Sequence, residues 1–182
     1  MNIITRQYGG KKAAIKYFVY RYWHSLGGFQ RYKQIDWRHI QRLIFVCRGN
    51  ICRSPYAEIM ARKHGKNTIS FGLCAQNGRP AHADAVRNAA LRDVDISRHA
   101  AKTVNDIKLY ETDLLIGMEP WHAKQLYSLG RTTNAQTTLL GLWTKPNCPY
   151  IQDPYGRSDQ YFQHCFDIID RSLQGIFSHM NQ

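Results

Sequence analysis

From residue 42 onward, short apolar runs alternate with longer helix-like stretches, and this alternation limits the possible folds more than any other feature. The apolar runs predict strands at residues 43–47, 67–71, 113–118 and 136–141. The stretches that follow them predict helices at residues 54–65, 82–92, 120–129 and 158–177. Strands separated by helices form a parallel sheet covered on both faces. We therefore predict an α/β protein with three α/β/α layers around a central four-stranded parallel sheet.

The loop after the first predicted strand carries the strongest chemical signal. It reads CRGNICRSP over residues 47–55 and leads into the first helix of the alternating region. Backbone N–H groups in such a loop can cradle an anion, and Gly49 permits the tight backbone that this requires. Arg53 carries a planar fork that matches two phosphate oxygens, and its positive field favours the thiolate of Cys47. The loop is predicted to bind a tetrahedral dianion above a nucleophile, so sulfur would attack phosphorus and form a phosphocysteine.

A second signal lies far along the chain, in IQDPYGRS at residues 151–158. Asp153 stands in a turn fixed by Pro154 and is a candidate general acid for the leaving group. Each signal also has a simpler explanation. A cysteine at the end of a strand can be a core residue, and an Asp-Pro pair can be only a turn.

Residues 1–41 differ from the rest of the chain. They hold eight Lys and Arg against one acidic residue, whereas the whole chain has a net charge of +12. We predict a basic, aromatic N-terminal extension over residues 1–41 and a catalytic domain over residues 42–182. A basic surface favours anionic partners. No nucleic-acid-binding motif is recognisable, so no nucleic-acid partner is expected.

Within the extension, residues 11–26 predict an amphipathic helix, with apolar side chains at steps of three and four and Gly27 at its end. Two interpretations remain open: a helix packed on the catalytic domain, or an interfacial helix in peripheral contact with a membrane. The apolar stretch is broken by Lys16 and Arg21, and no signal-peptide cleavage site follows it. We expect a cytoplasmic protein, with a peripheral position at the inner membrane as the second possibility.

Together these motifs resemble the low-molecular-weight protein tyrosine phosphatases, over about residues 42–177. The matching residues are Cys47, Gly49, Asn50, Cys52, Arg53, Ser54 and Pro55, the stretches 78–80, 95–101 and 113–118, and Asp153, Pro154 and Tyr155. The stretch at residues 139–158 looks most like the bacterial branch. Members of that branch dephosphorylate tyrosine autokinases that control capsule and exopolysaccharide export. The resemblance therefore implies a phosphotyrosine protein as substrate, a membrane tyrosine autokinase as partner, and neither a cofactor nor a metal.

The resemblance also implies a role for each matching residue. Cys47 would be the nucleophile, Arg53 the phosphate clamp, and Asp153 the general acid and then base. The phosphate-binding and loop-supporting residues would be Arg48, Gly49, Asn50, Ile51, Cys52, Ser54 and His99. Among them, Asn50 would hold the loop shape, Ser54 would bond the thiolate, and His99 would bond Asn50. Cys52 would form a disulfide with an oxidised Cys47 and so protect it from further oxidation.

The chain departs from the family pattern around the substrate ring. Residues 73–77 contain no aromatic wall residue, and Gly156 stands where a second aromatic is common, which leaves Tyr155 as the expected wall. Arg48 replaces a residue that is usually uncharged, and we hypothesise that it reads acidic or multiply phosphorylated sequences around the target.

Two other functions share parts of this pattern. A thiol-dependent arsenate reductase shares the cysteine-arginine loop, but it needs further relay cysteines, and none lies between residues 75 and 147. Cys148 could serve as one. A phosphotyrosine-binding module without turnover is disfavoured, because the nucleophile, the arginine and the acid are all present.

Overall fold

The computed structural model describes residues 3–181, and its centre is a four-stranded, all-parallel sheet. The strands are β1 (Arg42–Cys47), β2 (Thr68–Gly72), β3 (Asp113–Gly117) and β4 (Gln136–Leu139). The helices are α1 (Ile3–Tyr8), α2 (Lys11–Ser25), α3 (Arg53–Lys63), α4 (Ala83–Ala90), α5 (Pro120–Thr133) and α6 (Asp159–Met180). The strand order is β2-β1-β3-β4, and every pairing is parallel. The predicted α/β architecture is confirmed.

The side chains of β1 show why the sheet carries helices on both faces. Leu43, Phe45 and Cys47 belong to one buried cluster, which also contains residues of α3, α4 and α6. Ile44 and Val46 point the other way, into a second cluster with Leu126 of α5. Successive strand residues face opposite sides, so a fully apolar strand requires a cover on each side. β1 therefore lies in the middle layer, and its carboxyl end opens at one edge of the core.

The helices begin and end largely as their sequences dictate, although several bounds differ from the prediction. Ser158 accepts a hydrogen bond from the Tyr161 N–H and caps α6, which continues to Met180. β4 is two residues shorter than predicted, because the chain turns into a 3₁₀ helix at Leu140–Leu142. A Cβ on Gly141 would lie 1.8 Å from the carbonyl oxygen of Cys148, so only glycine fits this close approach.

The N-terminal segment, residues 3–41, packs against the rest of the chain through α1 and α2. On α2, Ala13 is buried and the Tyr20 ring lies 5.4 Å from the ring of Tyr150. The apolar stripe that defined this helix in the sequence faces the other way and is exposed. Helix α1 is not predicted by the sequence pattern. Within residues 3–181, no helix combines the length and the hydropathy that a membrane span requires.

Candidate active site

The strand-to-helix loop surrounds the Cys47 sulfur with hydrogen-bond donors. Cys47 is the last residue of β1 and is 3% exposed. Its Sγ accepts a hydrogen bond from the Asn50 N–H at 3.2 Å and another from the Ser54 hydroxyl at 3.1 Å. Two hydrogen-bond donors, one from the loop and one from the first turn of α3, thus point at the same sulfur. The geometry therefore gives Cys47 the surroundings of a nucleophile.

Asn50 holds the shape of this loop. Its backbone is left-handed, with φ of 54°, and its side chain is fully buried. The side-chain amide donates to the hydroxyls of Ser54 and Ser70, both at 2.8 Å. Its oxygen accepts from the Lys102 N–H at 2.8 Å, and His99 Nε2 donates to the Asn50 carbonyl oxygen at 2.8 Å. These bonds tie the loop to α3, to β2 and to the 99–102 segment.

Arg53 is the first residue of α3, and its side chain is completely buried beneath the loop. Nη1 donates to Glu119 Oε1 and to the Ile151 carbonyl oxygen, both at 2.7 Å. Nη2 lies 2.7 Å from Asp153 Oδ2, but neither Nη2 nor Nε has an aligned hydrogen-bond acceptor within residues 3–181. Burial alone would lower the pKa of Arg53, but Asp153 and Glu119 raise it, so the guanidinium remains charged.

The two groups without aligned acceptors form one edge of the Arg53 guanidinium. Nε–H and Nη2–H point in nearly the same direction, which is the geometry that binds two oxygens of one phosphate. The opposite side of the guanidinium is fixed by Glu119 and Ile151. The arginine is thus held on one side and offers two parallel donors on the other.

Asp153 lies at the same site, although it is 100 residues distant from Arg53 in sequence. Its Oδ1 accepts the Tyr155 N–H at 3.2 Å, while Oδ2 faces Arg53. The Tyr155 side chain is exposed and its ring lies 4.8 Å from the ring of His82. The carboxylate is therefore next to the Nε–Nη2 edge of Arg53, and Tyr155 lines the same cleft as Asp153.

A cleft of about 410 Å³ opens above the loop. Its lining residues are Cys47, Arg48, Gly49, Ile51, Cys52, Cys74, Arg79, Asp153 and Tyr155. The wall contributed by the 73–77 segment is Cys74, which is exposed and not aromatic. Cys52 is buried and its thiol pKa is raised by that burial. Of the site residues predicted from the sequence, Asn50, Arg53, Ser54 and His99 lie beneath the cleft and the rest line it.

Three supporting residues were missed by the sequence analysis. Glu119 follows β3 and holds Arg53, Ser70 of β2 bonds Asn50, and Glu58 of α3 accepts the Ser70 hydroxyl at 2.6 Å. Glu119 had a detectable signal, since it comes directly after a strand that we predicted to end at the same edge of the sheet as Cys47. Ser70 and Glu58 had none, because a serine in a strand and a glutamate in a helix are ordinary residues.

Comparison with known proteins identifies the family. A family model described as low molecular weight phosphotyrosine protein phosphatase matches residues 42–182. The chain belongs to this family. A relative is the low molecular weight protein-tyrosine-phosphatase Etp of Escherichia coli K12, which is 32% identical over 134 residues, covering 72% of this chain and 89% of Etp. The probable phosphatase EpsP of Ralstonia nicotianae is 30% identical over 136 residues, covering 74% of this chain and 92% of EpsP.

Solved structures agree with this assignment. Wzb of Vibrio vulnificus in complex with benzylphosphonate superposes with a TM-score of 0.63 at 31% identity, covering 74% of this chain and 95% of that one. The tyrosine phosphatase amsI of Erwinia amylovora gives a TM-score of 0.67 at 26% identity, covering 79% and 95%. The chain is therefore a protein-tyrosine phosphatase, a phosphoric monoester hydrolase related to bacterial enzymes of the low-molecular-weight class.

Proposed function

We propose that this phosphatase hydrolyses phosphotyrosine through a phosphocysteine intermediate at Cys47. The supporting observation is the buried Arg53 edge beside a sulfur that accepts two hydrogen bonds. In the first step the Cys47 sulfur attacks phosphorus, the S–P bond forms, and the P–O bond to the tyrosine breaks. Arg53 and the loop N–H groups hold the equatorial oxygens, where negative charge accumulates in the transition state.

Asp153 would carry the proton in both steps. In its protonated form it gives a proton to the leaving tyrosine oxygen. As the carboxylate it then accepts a proton from water, whose oxygen attacks phosphorus and breaks the S–P bond. Asp153 Oδ2 lies 2.7 Å from Arg53 Nη2, so a bound phosphate would have to take over that nitrogen. The exchange would leave Asp153 beside the scissile bond.

Three variants test this mechanism with p-nitrophenyl phosphate at mildly acidic pH, with reductant and without added metal. Cys47→Ser is expected to abolish turnover, and Asp153→Ala to reduce kcat by about 10²–10⁴. Cys148→Ser is the matched control, because that thiol is buried outside the cleft and its bond to the Tyr150 carbonyl can be kept by a hydroxyl. Full activity of Cys47→Ser would refute the phosphocysteine intermediate.

We further propose that the physiological substrate is a bacterial membrane tyrosine autokinase of polysaccharide export, dephosphorylated on the cytoplasmic side of the inner membrane. The similarity to Etp and Wzb supports a bacterial phosphotyrosine substrate. The test compares kcat/KM on a phosphorylated autokinase with kcat/KM on an unrelated phosphotyrosine protein. Equal values for both substrates would contradict the kinase assignment.

The entrance to the cleft supports a preference for acidic sequences around the phosphotyrosine. Arg48 and Arg79 both line the cleft. We propose that they attract acidic or additional phosphorylated side chains of the substrate. Arg48→Leu is expected to raise KM for acidic phosphopeptides and to leave KM for p-nitrophenyl phosphate nearly unchanged. An unchanged KM for both would exclude this role.

Arsenate reduction and phosphatase activity can be distinguished by assaying both on one protein preparation. Cys148 is buried and lines a cavity next to α1 and α2 instead of the active-site cleft, which argues against it as a relay thiol. Arsenate-dependent consumption of thiols would favour the reductase, whereas its absence together with aryl phosphate hydrolysis would favour the phosphatase.

A further inference from the structure

Helix α2 presents two faces of different chemistry. The packed face consists of Ala13, Tyr17, Tyr20 and His24, at steps of three and four. Tyr17 contacts the Tyr8 ring at 5.0 Å, and Tyr20 contacts Tyr150 at 5.4 Å. The helix is thus attached to the protein by its less apolar side, which reverses the usual arrangement of a surface helix.

The opposite face is apolar and open to solvent. It is formed by Ile15, Phe18, Val19, Tyr22, Trp23 and Leu26, whose side chains are between 53% and 68% exposed. Six of the ten large apolar or aromatic side chains exposed in the described part of the chain belong to this short stretch. A contiguous apolar patch of this kind on a soluble protein marks a contact with another apolar surface.

Basic residues surround the patch. Lys11, Lys12 and Lys16 are exposed along the helix, and Arg21 is exposed on its other flank, where it donates to the Tyr17 hydroxyl at 3.2 Å. The N-terminal 41 residues contain eight Lys and Arg and a single acidic residue, Asp36. An exposed apolar stripe with Trp and Tyr near one end, flanked by cations, is the composition of helices that lie in the interface of an anionic bilayer.

We propose that the exposed face of α2 docks this phosphatase onto an anionic lipid bilayer. A second copy of the chain would fit less well, because joining two such faces would bring two basic segments together and the charges would repel each other. An anionic lipid surface neutralises the same charges while its acyl region accepts the apolar side chains.

Docking would also orient the active site, an extension that rests on the proposed phosphatase function. Tyr20 on the packed face contacts Tyr150, whose hydroxyl bonds Gln152, the neighbour of Asp153. The acid loop and α2 are therefore connected by two consecutive contacts. A phosphatase lying on the bilayer through α2 would hold its cleft close to phosphotyrosines of membrane-anchored proteins and raise their local concentration.

The test is co-sedimentation of the full chain with phosphatidylglycerol-containing vesicles and with pure phosphatidylcholine vesicles. The wild type is expected to bind only the anionic vesicles. The combined variant Ile15→Gln, Val19→Gln and Tyr22→Gln should lose about a hundredfold in partition coefficient. Leu91→Gln is the matched control, since Leu91 is 75% exposed but lies beyond α4, and it should bind as the wild type does. Lys12→Gln and Lys16→Gln should each weaken binding about fivefold.

Circular dichroism and p-nitrophenyl phosphate hydrolysis of each variant establish that the fold and the active site are intact. The proposal would be overturned if the wild type bound neither kind of vesicle. It would also be overturned if the wild type and the triple variant bound the anionic vesicles equally. A concentration-dependent dimer that only the triple variant abolishes would assign the face to a second copy instead. Because sedimentation is independent of turnover, an inactive but membrane-bound wild type would refute the proposed function and leave this inference standing.

Discussion

Asn50 offers the most direct test of how the phosphate loop keeps its shape, because it combines a left-handed backbone with a fully bonded side chain. Two substitutions separate these contributions. Asn50→Ala removes the side-chain hydrogen bonds and places alanine, which adopts positive φ less readily than asparagine or glycine, at φ of 54°. Asn50→Gly removes the same bonds but tolerates that φ.

The magnitudes follow from the contacts. Three strong side-chain bonds are lost in both variants: two to the hydroxyls of Ser54 and Ser70, and one from the Lys102 N–H. Each contributes about 1 kcal/mol, so both variants should lose about 3 kcal/mol of unfolding free energy. Alanine should lose roughly 1 kcal/mol more, because the left-handed conformation is unfavourable for it.

Urea denaturation of purified variants measures these differences, and Asn134 supplies the matched control. It has φ of 58° at the end of α5, and no side-chain hydrogen bond of Asn134 is present among residues 3–181. The difference in unfolding free energy between the alanine and the glycine variant should be the same at positions 50 and 134. The loss of unfolding free energy that both variants share should appear only at position 50. A total loss below about 1 kcal/mol for Asn50→Ala would refute the reasoning. So would an alanine variant as stable as the glycine variant.

Two further results are expected. A Cβ at Gly72 would lie 2.8 Å from the Asn50 nitrogen and 2.9 Å from the Arg48 carbonyl oxygen. Gly72→Ala should therefore displace the loop and lower kcat at least about tenfold. Gly78→Ala is the control, because a Cβ at Gly78 would lie in open space, and it should affect only stability. The pKa of His122 is lowered to about 2, first by burial and then by the Arg53 and Arg48 charges. Its contribution to stability is complete above its ordinary pKa of 6.5 and is lost as pH falls below that value, by about 1.4 kcal/mol per unit. In chemical denaturation, His122→Asn should flatten this pH dependence; an unchanged slope would show that another group causes it.

The sheet, and the closeness of Cys47 to Arg53, could be predicted from the sequence because both depend on local patterns. Apolar runs of strand length separated by helices allow few topologies, and Cys47 and Arg53 lie within one short loop whose ends are a strand and a helix. The placement of Asp153 beside Arg53 was harder, since it depends on the chain crossing the sheet. It was suggested by the turn at Pro154 and by the family resemblance, not by any local contact.

Other features depend on tertiary contacts and could not be read in advance. The left-handed backbone of Asn50 and its hydrogen bond to Ser70 depend on segments that are separate in sequence and meet only in the fold. The ends of β4 and α6 differ from the prediction because tertiary packing, and not the local apolar pattern, determines where each element stops. For α2, periodicity gave the apolar stripe correctly but not its direction, because a helix can be attached by either side when tyrosines provide the contact.

The Nε–Nη2 edge of Arg53, which has no aligned hydrogen-bond acceptor in the described part of the chain, has a practical consequence for anyone who purifies this protein. Any tetrahedral oxyanion that binds this edge stabilises the folded state by an amount that grows with the logarithm of its concentration. Thermal melts recorded in phosphate or sulfate buffers would therefore report the buffer as well as the polypeptide. Melting temperatures of variants should therefore be compared in a buffer with a fixed oxyanion content, and inorganic phosphate, the product of a phosphatase, is expected to inhibit and to stabilise at the same place.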